Sequence, residues 1–151
     1  MYYEEVFKAL NKNKIKYLVI GGIAVNLHGL HRFTKDLDLI IDLSNNNLIK
    51  FIDTIGKLGY KTNVPKHKWG KLAAIAFTGK DEEFDRVDIF LKNPIDFDKS
   101  YKKREIFKLG RINVSCISLE DLLFLKNKAD RLRDWIDIGS LKRMKGLRKN
   151  K

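Results

Sequence analysis

A single cysteine, Cys116, rules out an internal disulfide and fits a reducing compartment. Its alternating, strand-like surroundings mark it as a packing residue. Two prolines, Pro65 and Pro94, leave no proline-rich linker, and neither repeats nor low-complexity stretches occur. Long apolar runs are missing as well. The longest, Tyr17 to Val25, spans nine residues and is broken by two glycines, whereas a bilayer crossing needs about 20. No membrane partner is expected. The opening Met-Tyr-Tyr-Glu-Glu-Val-Phe carries neither the basic region nor the apolar core of a secretory leader, so a cytoplasmic protein is expected. Acids are scarce beside bases, 19 against 31, and the resulting net charge of +12 attracts polyanions, nucleic acid and nucleotide phosphates included. Half of that excess, Lys142, Arg143, Lys145, Arg148, Lys149 and Lys151, crowds the last ten residues without an acid. It reads either as a solvated tail or as an RNA-contacting arm.

What is present is enough for one domain. With 151 residues, 44% of them hydrophobic, the chain can bury one core and has no room for a second. We therefore divide it into a domain over 1–141 and a basic tail over 142–151. Tyr3, Val6, Phe7 and Leu10 follow helical spacing. A strand is expected over Tyr17 to Ile20, a short helix from Ile23 to Leu27, and a second strand over Asp36 to Asp42. Leu48, Phe51, Ile52, Ile55 and Leu58 mark a helix that stops near Gly59. Lys71 to Phe77 and Phe84 to Leu91 read as strands around a Thr78-Gly79-Lys80-Asp81 turn, and Ile106 to Leu109 pairs with Arg111 to Ile117. One long helix follows from Leu119, with Ser118 as N-cap and Asp121 at the capping-box position; Leu122, Leu125, Ala129, Leu132 and Ile136 form its buried stripe. The expected fold class is α/β (α+β), a mixed twisted sheet flanked by helices with a long C-terminal helical segment.

The chemistry concentrates between Ile20 and Leu39. Residues two apart on a strand share a face, so Asp36 and Asp38 project together while Leu37 and Leu39 pack behind them. Two such carboxylates repel, and a divalent cation resolves the repulsion; all-oxygen ligation suits magnesium. Gly21 and Gly22, at a strand-to-helix corner, let backbone N–H groups approach a phosphate. Asp88 is the preferred third carboxylate: Val87, Ile89 and Leu91 take one face of its strand and leave it on the other. Asp85 and Asp42 are its rivals, at a strand start and a strand end where acids are commonly solvated.

These residues resemble the DNA polymerase β-like nucleotidyltransferases and, within them, the small AbiEii-type toxin or abortive-infection branch. One anchor is Val19-Ile20-Gly21-Gly22-Ile23-Ala24-Val25, then His28-Gly29, Arg32, Thr34 and Asp36-Leu37-Asp38-Leu39. The other is Asp121-Leu122-Leu123, Lys126, Ala129, Arg131, Asp134 and Asp137. The resemblance implies transfer of a nucleoside monophosphate from a nucleoside triphosphate, with release of pyrophosphate and two Mg2+ ions. Asp36, Asp38 and Asp88 would bind metal, and Asp88 would also help deprotonate an acceptor hydroxyl. Gly21 and Gly22 would cradle the triphosphate, Lys126 would neutralise phosphate charge, and Arg32, Thr34 and Asp134 complete the nucleotide site. Many members carry Gly-Ser where this chain has Gly-Gly, so one hydroxyl contact to phosphate is missing. The implied partners are RNA or tRNA as acceptor and an antitoxin protein.

Other readings compete on spacing alone. Lys126, Asp130, Asp134 and Asp137 share one helical face, which a solvated ladder of ion pairs also explains. Arg32 either contacts phosphate or caps the following strand. His28 and His31 lack a third ligand nearby, which argues against zinc. Trp69 and Trp135 read as core or rim residues. As whole-protein alternatives, a catalytically silent basic binding module has no use for clustered acids. An antibiotic-modifying transferase shares the chemistry but is served by an acidic pocket, which the +12 charge disfavours.

Overall fold

The computed structural model describes residues 2–129 and 132–149, with side chains over 2–128 and 136–148. Its element order is α1 (Glu4–Lys12), β1 (Tyr17–Ile20), α2 (Gly21–Leu27), β2 (Leu37–Ile41), α3 (Asn45–Lys57), β3 (Ala74–Thr78), β4 (Arg86–Phe90), α4 (Phe97–Lys102), β5 (Glu105–Leu109), β6 (Ile112–Cys116), α5 (Leu119–Ala129) and α6 (Leu132–Lys149). A 3-10 turn over Lys66–Lys71 precedes β3. The strands form one mixed sheet in the order β3-β4-β2-β1-β6-β5. β1 pairs antiparallel with β2 and parallel with β6, and β2 pairs parallel with β4.

The central position of β1 follows from its sequence, since all four of its residues are apolar and all four are buried, as a strand covered on both faces requires. β4 instead alternates, with Val87 and Ile89 buried and Asp88 half-buried on the other face. α1 packs its Val6, Phe7 and Leu10 face against β6 and α3, while α2 packs against β1 and β2.

The structure departs from several expectations. Lys71 does not open a strand, because Trp69 turns inward and donates its indole N–H to the Val64 carbonyl at 3.1 Å, winding the segment into the 3-10 turn. A helix over Phe97–Lys102 went unanticipated; Asp96 caps it by accepting the Lys99 N–H. The expected single long helix is described as α5 and α6, which pack against each other as one straight helix could not. Consequently the proposed stripe fails at Ile136, which is 65% exposed, while Asp137 and Ile138 beside it are buried. Ser118 does cap α5, its Oγ accepting the Asp121 N–H at 3.2 Å, but the Asp121 carboxylate turns to Lys103. Residues 142–149, read as a tail, continue α6, and Arg148 reaches Glu105 at 3.4 Å. Among the described residues no helix is long and apolar enough to cross a membrane.

Candidate active site

Asp38 and Asp88 are direct register partners on the parallel strands β2 and β4, flanked by Leu37 opposite Val87 and Leu39 opposite Ile89. Equivalent positions on adjacent strands share a face, with strands about 4.8 Å apart. The two carboxylates therefore stand side by side while their apolar neighbours enter the core. Asp36 lies one residue before β2 and adds its negative charge to the same cluster.

Burial pushes the Asp88 carboxyl above its ordinary range; the Arg86 hydrogen bond and charge oppose that shift, and Asp36 adds to it. Arg86 is the residue that strand alternation alone did not bring forward. Its Nε donates to Asp88 Oδ1 at 2.9 Å and lies 3.9 Å from Asp36 Oδ2. Among the described residues, no three His, Cys, Asp or Glu side chains are gathered as a metal-ligand cluster; a guanidinium occupies the space between two of the carboxylates. The donor chemistry nevertheless suits magnesium: the oxygens are all carboxylate, and a cation would relieve the repulsion of Asp38 and Asp88 on neighbouring strands.

Beside this cluster the chain leaves β1 at Gly21, with φ +67°. A Cβ there would lie 2.2 Å from Asp38 Oδ2, so only glycine fits. A Cβ at Gly22 would lie 2.7 Å from Thr34 Oγ1. The Thr34 hydroxyl thus stands beside the position that a serine at 22 would occupy. A cleft of about 320 Å³ is lined by Gly21, Gly22, Arg32, Thr34, Asp38 and Lys126, with Asp36 and Asp137 at its walls. On the other side of Gly21, Asp38 and Lys126, a second cavity of about 290 Å³ is more apolar, lined by Phe90, Pro94, Leu122 and Leu125 among others.

Lys126 is buried, and its Nζ lies 2.9 Å from Asp137 Oδ2. Arg32 directs one guanidinium nitrogen, Nη1, at both oxygens of the same carboxylate. Asp137 was legible only as one member of the closing helical motif; the structure makes it the anchor for both cations. The Asp134 side chain lies outside the described residues. The loop before β2 is pinned by Asn26, which exchanges hydrogen bonds with the Arg32 backbone at 2.9 and 3.0 Å. Tyr3 pins it a second time. Its buried hydroxyl sits within reach of the Lys35, Phe84 and Arg86 carbonyls and accepts the Arg86 N–H, tying the approach to Asp36 to the start of β4. No sequence signal distinguished Tyr3 from an ordinary core aromatic. His28 is likewise a packing residue: Nε2 bonds the Ile117 carbonyl at 2.8 Å and the ring meets Phe107 edge-on.

Residues 1–150 match the family model described as "Nucleotidyl transferase of unknown function (DUF2204)". No curated protein matches the sequence. Several solved structures share the fold, among them the following three. The lincomycin-bound lincosamide antibiotic adenylyltransferase LnuA superposes with TM-score 0.66 at 21% identity, covering 92% of this chain and 93% of that one. An antigenic nucleotidyltransferase-like protein from Paracoccidioides brasiliensis gives 0.66 at 17% identity, covering 97% and 75%. ANT(2")-Ia in complex with adenylyl-2"-tobramycin gives 0.60 at 14% identity, covering 99% and 93%. At these identities the likeness is one of fold.

Proposed function

The chain belongs to this nucleotidyl transferase family, and from that premise we propose that Asp36, Asp38 and Asp88 are its magnesium ligands in transferring a nucleoside monophosphate to a hydroxyl acceptor. The observation that carries the reading is the Asp38–Asp88 register at the end of β1 where Gly21 begins α2. Acids and a glycine corner meet there.

The residues divide the work as follows. Gly21 and Gly22 offer first-turn N–H groups to the triphosphate, and the Thr34 hydroxyl stands in for the serine that this chain lacks. Arg32 and Lys126, held by Asp137, face the same cleft and offset phosphate charge. Asp88, with its raised proton affinity, takes the proton of the acceptor hydroxyl as that oxygen bonds to the α-phosphorus. The bond from the α-phosphorus to the β-phosphate oxygen breaks, and pyrophosphate leaves. When bound, two magnesium ions would supply charge neutralisation at both the attacking and leaving oxygens.

ATP is the first nucleotide to test, because LnuA is described as an adenylyltransferase and ANT(2")-Ia is seen with an adenylylated product. The finer reading, an AbiEii-type toxin with an RNA or tRNA acceptor and an antitoxin partner, is supported by the two sequence motifs. One observation favours the silent binding module instead: Arg86 bridges Asp36 and Asp88 where a cation would sit.

Incubation with each labelled nucleoside triphosphate, magnesium and total RNA separates the readings. Label should enter the acceptor, and Asp36→Asn or Asp38→Asn should lower the rate by about 10²–10⁴, equivalent to about 3–5 kcal/mol of transition-state stabilisation. Near wild-type turnover in either variant would refute the metal assignment. No transfer to RNA, protein or small-molecule acceptors would leave the silent module.

A further inference from the structure

The largest cavity described, about 790 Å³, has no part in this site. It opens at the other end of the sheet, between the end of α1, the start of β1, the start of β6 and the end of α4. Gly21 follows the last residue of β1, whereas Lys16 precedes the first; the two ends are about 16 Å apart along the strand. Lys8, Lys12, Lys14, Lys16, Arg104 and Arg111 line this cleft, and no acid does. Among the described residues, none of the six is in an ion pair.

Two details distinguish this cleft from a scatter of solvated lysines. Arg104 is built in. Its guanidinium lies 3.9 Å from the centroid of the Tyr101 ring and donates to the Tyr101 carbonyl at 3.0 Å, while Phe97 stacks on Tyr101. Its Nε is buried without a hydrogen-bond partner. An arginine plane fixed over an aromatic ring is a surface on which a nucleobase stacks. Lys14 is the second detail. It is the only non-glycine residue described with positive φ, +55°, at a turn position where glycine or asparagine is less strained. The turn holds a cation at the cleft mouth at a conformational cost.

We propose that this cleft binds a single-stranded stretch of nucleic acid, its phosphates on the lysines and Arg111 and one base against Arg104. An acidic protein surface would satisfy the charges but has no use for the stacked arginine. The binding is independent of the transfer chemistry and is measured without nucleotide or magnesium.

The test uses the full chain in EDTA with fluorescent single-stranded RNA and DNA oligonucleotides, followed by anisotropy over a range of salt. Lys12→Glu/Lys14→Glu should weaken binding by about tenfold or more and make the salt slope shallower by about 1.4, as two lost phosphate contacts require for a single strand. Lys66→Glu/Lys68→Glu removes the same charge from the 3-10 turn, outside the cleft, and should change affinity by less than about threefold. Arg104→Lys keeps the charge, so affinity should fall while the slope holds. Equal losses in both double variants would reduce the effect to net charge and overturn the proposal, as would unchanged binding in the cleft variants. Weaker binding of DNA than of RNA would identify the 2′-hydroxyl as part of the contact; equal binding would identify the shared backbone and bases as sufficient. Retained nucleotide transfer in a variant that no longer binds the oligonucleotide would separate failure of the cleft from failure of the active site.

Discussion

Lys126 on α5 and Asp137 on α6 are eleven positions apart, yet their charged atoms lie 2.9 Å from each other. On one straight helix eleven residues rise about 16 Å, which no such contact can span. A change of chain direction between Lys126 and Asp137 is therefore what completes the cleft. Asp137 also receives Arg32 from across the molecule, so one buried carboxylate holds two cations facing the site.

Removing that carboxylate should cost more than removing either cation. Asp137→Asn removes the carboxylate that Lys126 and Arg32 both contact and should destabilise the protein by about 3 kcal/mol, the low end for a broken buried pair because Arg32 is partly exposed. Lys126→Met leaves Asp137 paired with Arg32 and should cost less. Urea unfolding of both variants compares them directly; a larger loss in Lys126→Met would refute the anchoring role.

Gly22 and Thr34 make a reciprocal test of the phosphate corner. Gly22→Ser alone drives its Cβ against Thr34 Oγ1 and should impair transfer. Thr34→Ala alone removes the only hydroxyl proposed there and should also impair it, by about tenfold for one lost hydrogen bond to a charged group. The double variant should recover part of the activity, since it restores a hydroxyl and eases the clash, leaving only the alanine Cβ 3.0 Å from the added one. Additive losses would mean that the two positions do not share one role.

Arg86 competes with metal for the same oxygens. In EDTA, Arg86→Gln should lower the melting temperature, because the acid cluster loses its counter-charge. Magnesium should then raise the melting temperature of Arg86→Gln by more than it raises that of the parent. A magnesium response absent from both proteins would favour the silent module.

His28 sets a pH dependence of stability. Burial holds its pKa below the ordinary 6.5, and Arg148 pushes the same way, while the Ile117 carbonyl and Glu105 oppose them. As pH falls below about 6.5 the unfolded chain takes up a proton that the folded chain refuses, so this contribution is full above that value and declines beneath it. His28→Gln should flatten the fall between neutral and mildly acidic pH in denaturant midpoints. An unchanged slope would show that His28 charges freely in the fold.

Much of the fold was legible because its signals are local. The continuous apolar run of β1, the i, i+3, i+4 spacing of α1 and the period-two alternation around Asp88 each reflect geometry within one element. The same alternation put Asp88 on the face opposite Val87 and Ile89, where its register partner is Asp38. Where packing overrode pattern the reading failed, as at Trp69, whose burial winds a 3-10 turn ahead of β3.

By itself the sequence determined most of the strands and helices, the glycine corner and the alternation that leaves Asp38 and Asp88 among apolar neighbours, since each depends on residues a few positions apart. Tertiary structure alone decided that β2 and β4 are neighbours, that Arg86 stands between the acids, and that Thr34 Oγ1 fills the place beside Gly22. It also decided that Arg32 meets Asp137 across 105 residues and that Lys8, Lys12, Lys14, Lys16, Arg104 and Arg111 converge at the far end of the sheet. These contacts depend on strand order and on where a helix breaks, which are set by burying the whole core at once and not by any local period.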